Sequence, residues 1–110
     1  MAISEYEKLQ DKVSSIDSED EFYFNICQNL KKFRLEKYNE FKSSDHGHDL
    51  NPYSSENMSA LLGYSHTHYK RFESANDSTK KIPLSKLAKI AVILDRPIDD
   101  FIKKQWFFVK

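Results

Sequence analysis

Residues 53–73 constrain this chain more than any other stretch: Tyr-Ser-Ser-Glu-Asn-Met-Ser-Ala-Leu-Leu-Gly-Tyr-Ser-His-Thr-His-Tyr-Lys-Arg-Phe-Glu. Met58, Leu61 and Leu62 stand at i, i+3 and i+4, the spacing of one helix face. Ser54 and Ser55 precede that face as capping residues, with Glu56 and Asn57 in the first turn. Gly63 follows where a helix commonly turns to left-handed φ, a conformation only glycine adopts without steric cost. Ser65 then caps a second short helix, with Tyr69 and Phe72 as its apolar anchors and His66, Thr67, His68, Lys70 and Arg71 on its other side. Two short helices across a tight turn, the second offering donors and cations outward, suit the reading of a DNA groove. The same spacing also suits an αα-hairpin with no nucleic-acid role.

The flanking sequence is helical in pattern. Ile3, Tyr6, Leu9, Val13 and Ile16 recur at three- and four-residue steps and predict an N-terminal amphipathic helix, whose stripe has to cover the rest of the domain or a second copy. Asp17 or Ser18 stops it and caps a longer helix from about Asp20 to Lys42, with Phe22, Ile26, Leu30, Phe33, Lys37 and Phe41 on the inner side. Residues 43–52, polar with Gly47 and Pro52, predict a loop. Leu84, Leu87, Ile90, Ala91 and Leu94 predict a core stripe on a further helix ending near Asp95, and Pro97 opens a short last helix through Ile98, Phe101 and Ile102. The tail Lys104-Gln105-Trp106-Phe107-Phe108-Val109 is aromatic and would be adhesive if bare, so it is expected to pack on the first helix or pair with its twin.

From about Ile26 to Ile102 the chain resembles the lambda-repressor-like helix-turn-helix domains of the Cro/XRE group. The resemblance lies in Ile26, Leu30 and Arg34 of the long helix, in Leu62-Gly63-Tyr64-Ser65, and in His68-Tyr69-Lys70-Arg71-Phe72-Glu73. It continues through Pro83-Leu84, Leu87 and Lys89-Ile90-Ala91 to Ile98-Asp99-Asp100-Phe101. The chain departs from that pattern in its long polar stretch 37–52 and in Ala75, which stands where the family usually has glycine. The resemblance implies an all-α, five-helix domain over 20–103, with 43–52 as an inserted loop, 1–19 as an extra N-terminal helix and 104–110 as an aromatic tail. It implies that the helix at about 65–74 enters the major groove, with His66, Thr67, His68, Lys70 and Arg71 facing DNA. Ser65 would lie at the DNA surface as well, and Ser55 and the loop residues Asn76, Ser78, Thr79, Lys80 and Lys81 would contact the phosphate backbone. Arg34 and Glu73 would form a structural ion pair beneath that surface. Regulators of this type act as dimers on palindromic sites.

Charge complicates this reading. The chain has zero net charge, which counts against a strong nucleic-acid binder. Its charge is unevenly spread: residues 1–21 carry seven acids against two lysines, and residues 22–110 carry fifteen bases against ten acids. The acidic segment is a solvated helix, lies away from DNA, or shields the basic face until displaced. Cys27 is the only cysteine, so no intrachain disulfide forms, and its apolar surroundings suggest burial. No apolar run reaches membrane-spanning length and the N-terminus lacks a signal-peptide pattern, so a cytoplasmic chain without membrane contact is expected. Asp45, His46, His48 and Asp49 invite a metal hypothesis, but they lack a well-spaced third histidine or a cysteine, so no metal and no cofactor is expected. No nucleophile–base pairing or glycine-rich phosphate loop suggests an enzyme. The leading expectation is a sequence-specific transcriptional regulator bound to double-stranded DNA as a homodimer. Two alternatives remain: an antitoxin-type regulator that also binds a partner protein, and an interaction module that has lost DNA binding.

Overall fold

A computed structural model describes residues 4–14, 18–76 and 80–103. Among these residues the chain is all-helical, with six helices and no strand: α1 (Glu5–Ser14), α2 (Glu19–Lys42), α3 (Ser55–Leu62), α4 (His66–Glu73), α5 (Leu84–Ile93) and α6 (Ile98–Ile102). None of them is long and apolar enough to cross a membrane.

The axis of the fold is α2. Ser18 caps it by accepting from the Glu21 amide, and Glu19, Asp20 and Glu21 place negative charge at the positive end of the helix dipole. Its inner face buries Ile26, Cys27, Leu30 and Phe33, together with Asn29 and Arg34. Against this face lies α6, whose Phe101 is fully buried and meets Phe33 edge-on at 5.3 Å between ring centroids. A short helix leaves its last carbonyls without partners, and here two asparagines one turn apart on α2 supply them. Asn29 Nδ2 donates to the carbonyls of Phe101 and Lys103, both at 2.8 Å, and Asn25 Nδ2 donates to those of Ile102 and Lys103 at 3.2 and 3.3 Å. Met58 and Leu62 of α3, Tyr69 and Phe72 of α4, and Leu87, Ile90 and Ala91 of α5 complete the core with Ile82 and Leu94.

Helix endings explain the sharp reversals between elements. After α3, Gly63 takes φ 79°, its amide donates to the Ala60 carbonyl at 3.2 Å, and the Tyr64 amide donates to Ser59 at 2.9 Å. This is a Schellman closure, and it requires a left-handed residue. The end of α5 repeats it with Asp95 at φ 53°, where the Arg96 amide donates to Ala91 at 3.0 Å and the Asp95 amide to Val92 at 3.2 Å. Asp tolerates this region better than most non-glycine residues. In the 43–52 loop a Cβ on Gly47 would lie 2.2 Å from the Lys42 carbonyl oxygen, so only glycine fits there. Asn51 fastens the end of the loop, donating to the Tyr38 carbonyl at 3.2 Å and accepting from the Tyr53 amide at 3.0 Å.

Several expectations are revised. Leu84 belongs to no core stripe: it is exposed at the first turn of α5, while Leu87, Ile90, Ala91 and Leu94 are buried. That helix ends at Ile93 and α2 starts at Glu19, each close to the sequence reading. The described stripe of α1, Tyr6, Leu9 and Val13, is exposed and the helix buries no residue among those described. Ile3, Ile16, Ser78, Thr79 and the aromatic tail from Lys104 lie outside the described residues.

Candidate nucleic-acid interface

The second helix of the central pair, α4, is short, and eight residues do not hold a helix by propensity alone. Three devices fix it. Ser65 accepts from the His68 amide at 3.1 Å and caps its N-terminus. Tyr69 and Phe72 bury one face in the core. Glu73, at its last turn, is buried in an ion pair with Arg34 of α2.

That pair is bidentate. Arg34 Nε donates to Glu73 Oε2 at 2.6 Å and Nη2 to Oε1 at 2.8 Å, while Nη1 donates to the Tyr53 carbonyl at 2.9 Å. The Tyr69 hydroxyl donates to Glu73 Oε2 at 2.5 Å. The Arg34–Glu73 pair therefore ties α2, α4 and the segment entering α3. Burial pushes the Tyr69 phenol far above its ordinary value, reinforced by the Glu73 charge and hydrogen bond. Burial alone would lower the Arg34 pKa, but the Glu73 hydrogen bond and charge outweigh it and raise it.

With Tyr69, Phe72 and Glu73 inside, Thr67, Lys70 and Arg71 form the outward face of α4, all exposed. The two histidines flank that face and lean on neighbours. His66 Nε2 and Ser55 Oγ share a hydrogen bond at 2.8 Å, joining the first turn of α3 to that of α4. His68 stacks on the Phe72 ring at 5.5 Å and lies 4.7 Å from that of Tyr64. The outward face of α4 carries two cations and no acid, since Glu73 is turned inward.

The surroundings of α4 are unequal. Asn76 is exposed just beyond the helix, its amide donating to Ser74 Oγ at 3.2 Å. Lys80 is half-buried, and Lys81 is drawn to the first turn of α2, 3.1 Å from Glu19 and 3.9 Å from Asp20. The acidic N-terminal segment thus engages one of the cations expected to face phosphate. Nothing in the local sequence marks Lys86 as part of this surface. Its Nζ donates to the Leu62 carbonyl at 2.6 Å and sits 5.1 Å from the Tyr64 ring, satisfying the C-terminus of α3 from outside the helix. Only its position 24 residues from Leu62 hides it, because a long-range cap leaves no local pattern. Among the described residues, no group of three or more His, Cys, Asp or Glu converges to hold a metal ion, and the His46 and Asp49 side chains lie 3.2 Å apart.

No family model matches the chain, and neither a curated protein nor a solved structure matches it.

Proposed function

We infer that this chain is a sequence-specific DNA-binding regulator that reads the major groove with α4 and acts as a dimer on a palindromic site. One observation carries the reading: a short helix is clamped at both ends and along its inner face, while its outer face offers Thr67, Lys70 and Arg71 with no acid among them. A purely structural helix has no need of so much fixation around a bare cationic face, whereas a recognition helix must be held rigid to place donors against base edges.

In this reading α4 enters the groove with its N-terminal end leading. Lys70 and Arg71 donate to guanine O6 and N7, and the Thr67 methyl meets that of a thymine. His66 is set by Ser55 at the mouth of the groove. Asn76 and Lys80 contact phosphates, which supplies register and salt-dependent affinity without reading sequence. Zero net charge favours the second reading, a protein-interaction module on the same scaffold.

Selection from a pool of random duplexes separates the two. Enrichment of a palindromic consensus is expected, with Lys70→Ala or Arg71→Ala weakening binding to it by about 1–3 kcal/mol. A pool that shows no enrichment after repeated rounds would favour the interaction module.

A further inference from the structure

Two apolar surfaces stand open among the described residues, on different parts of the chain. The first is α1, whose Tyr6, Leu9 and Val13 share one face and are 72%, 55% and 70% exposed. The second crosses α5 and the edge of α3, where Leu61, Leu84 and Val92 are 55%, 71% and 82% exposed. Leu84, Ala88 and Val92 recur at four-residue steps along α5, and Leu61, Ala88, Val92 and Ile93 line a shallow apolar depression beside it. Of the nine large hydrophobic side chains exposed among the described residues, six belong to these two surfaces, so the apolar exposure is concentrated and not scattered.

We propose that the two surfaces are the halves of one contact: α1 of one copy lies along the α5 face of a second copy, and reciprocal exchange closes a dimer. The lengths agree, since α1 and α5 are each ten residues and their stripes extend over about 11–12 Å at 1.5 Å per residue. The charges agree. Lys89 of α5 is exposed beside Val92 and the helix carries no acid, whereas α1 carries Glu5, Glu7 and Asp11 against Lys8 and Lys12. The placement agrees as well. The molecule measures 67 Å along its longest axis against 29 and 23 Å across, and α1 buries none of its residues, so it stands where another copy can reach it.

Like-with-like pairings of two copies leave a surface in water. Two α5 faces packed together would leave both α1 stripes bare, and two α1 helices would leave both α5 faces bare. Exchange covers all four. It also doubles the contact: one ten-residue helix on a flat face falls short of the roughly 1,000 Å² of a stable interface, and two such contacts approach it. The proposal rests on the functional reading only in taking two copies as the working unit.

Sedimentation velocity on the full chain without DNA, over a concentration series, tests it with Leu9→Asp and Val92→Asp. Both side chains are exposed, and thermal melts are expected to match the parent chain. The parent is expected to dimerise, and each substitution is expected to weaken the dimer by about tenfold or more. A parent chain that stays monomeric, or a dimer that survives either substitution, would overturn the proposal. Survival of Leu9→Asp would indicate pairing of two α5 faces, and survival of Val92→Asp pairing of two α1 helices. Because no DNA is present, failure here leaves the groove-reading proposal standing, and loss of DNA binding with the dimer intact does the reverse.

Discussion

A single carboxylate, that of Glu73, is the residue on which the candidate interface depends. It is buried with its charge, and it tolerates burial because Arg34 forks both its oxygens and Tyr69 donates a third hydrogen bond. Removing one member leaves a buried charge without its counterpart. Arg34→Met is therefore expected to destabilise the fold by about 3–5 kcal/mol in chemical denaturation, and the double variant Arg34→Met with Glu73→Gln to recover part of that loss. Tyr69 adds a pH signature. Its folded-state pKa is raised by burial and by Glu73, so its neutral form is the one the fold stabilises. The contribution is complete below the ordinary phenol value of about 10 and declines as pH rises above it. Thermal melts of the parent and of Tyr69→Phe are expected to differ most near neutrality and to converge above about pH 10. A constant gap across that range would contradict the assignment.

At the scale of elements, the junctions were the legible part of the sequence. Ser54, Gly63 and Ser65 declare a capped helix, a left-handed turn and a second cap through bonds within a few residues, so local spacing is enough to find them. Gly63→Ala would force a Cβ into φ 79° and is expected to cost about 1–2 kcal/mol, although the nearest atom to such a Cβ, Lys86 Nζ, lies 3.8 Å away. The penalty is backbone strain, not crowding, so Gly63→Asn should cost less than Gly63→Ala in a urea titration. The supports that cross the fold were not legible. Asn25 and Asn29 close the end of α6 from more than seventy positions away, and Lys86 closes α3 from α5. Leu84 shows the opposite failure. Its spacing to Leu87 and Ala91 matches a core stripe, but a helix face is wider than the surface it packs on, and Leu84 falls beyond that edge.

At the scale of the whole molecule, the charge asymmetry acquires a physical location. The acidic start of α2 holds Lys81 through Glu19 and Asp20, while Thr67, Lys70 and Arg71 remain uncovered on α4. The described residues thus divide into a packed helical body with an open cationic helix and an extended α1 with an open apolar stripe. Both features face outward, as the proposed groove reading by α4 and the proposed exchange of α1 each require. The sequence pattern identified the outward residues of α4 but not that His66 and His68 are braced at its flanks, because Ser55, Tyr64 and Phe72 reach them through the tertiary fold.

Whether α4 meets DNA is decided by fluorescence anisotropy of a labelled duplex over a salt series. The expected result is an affinity whose logarithm falls linearly with the logarithm of salt concentration, and near-uniform weakening across sequences when a phosphate contact such as Lys80 is replaced by alanine, with the slope reduced by about one. Absence of salt-dependent binding at low ionic strength, from a chain that melts cooperatively, would contradict it.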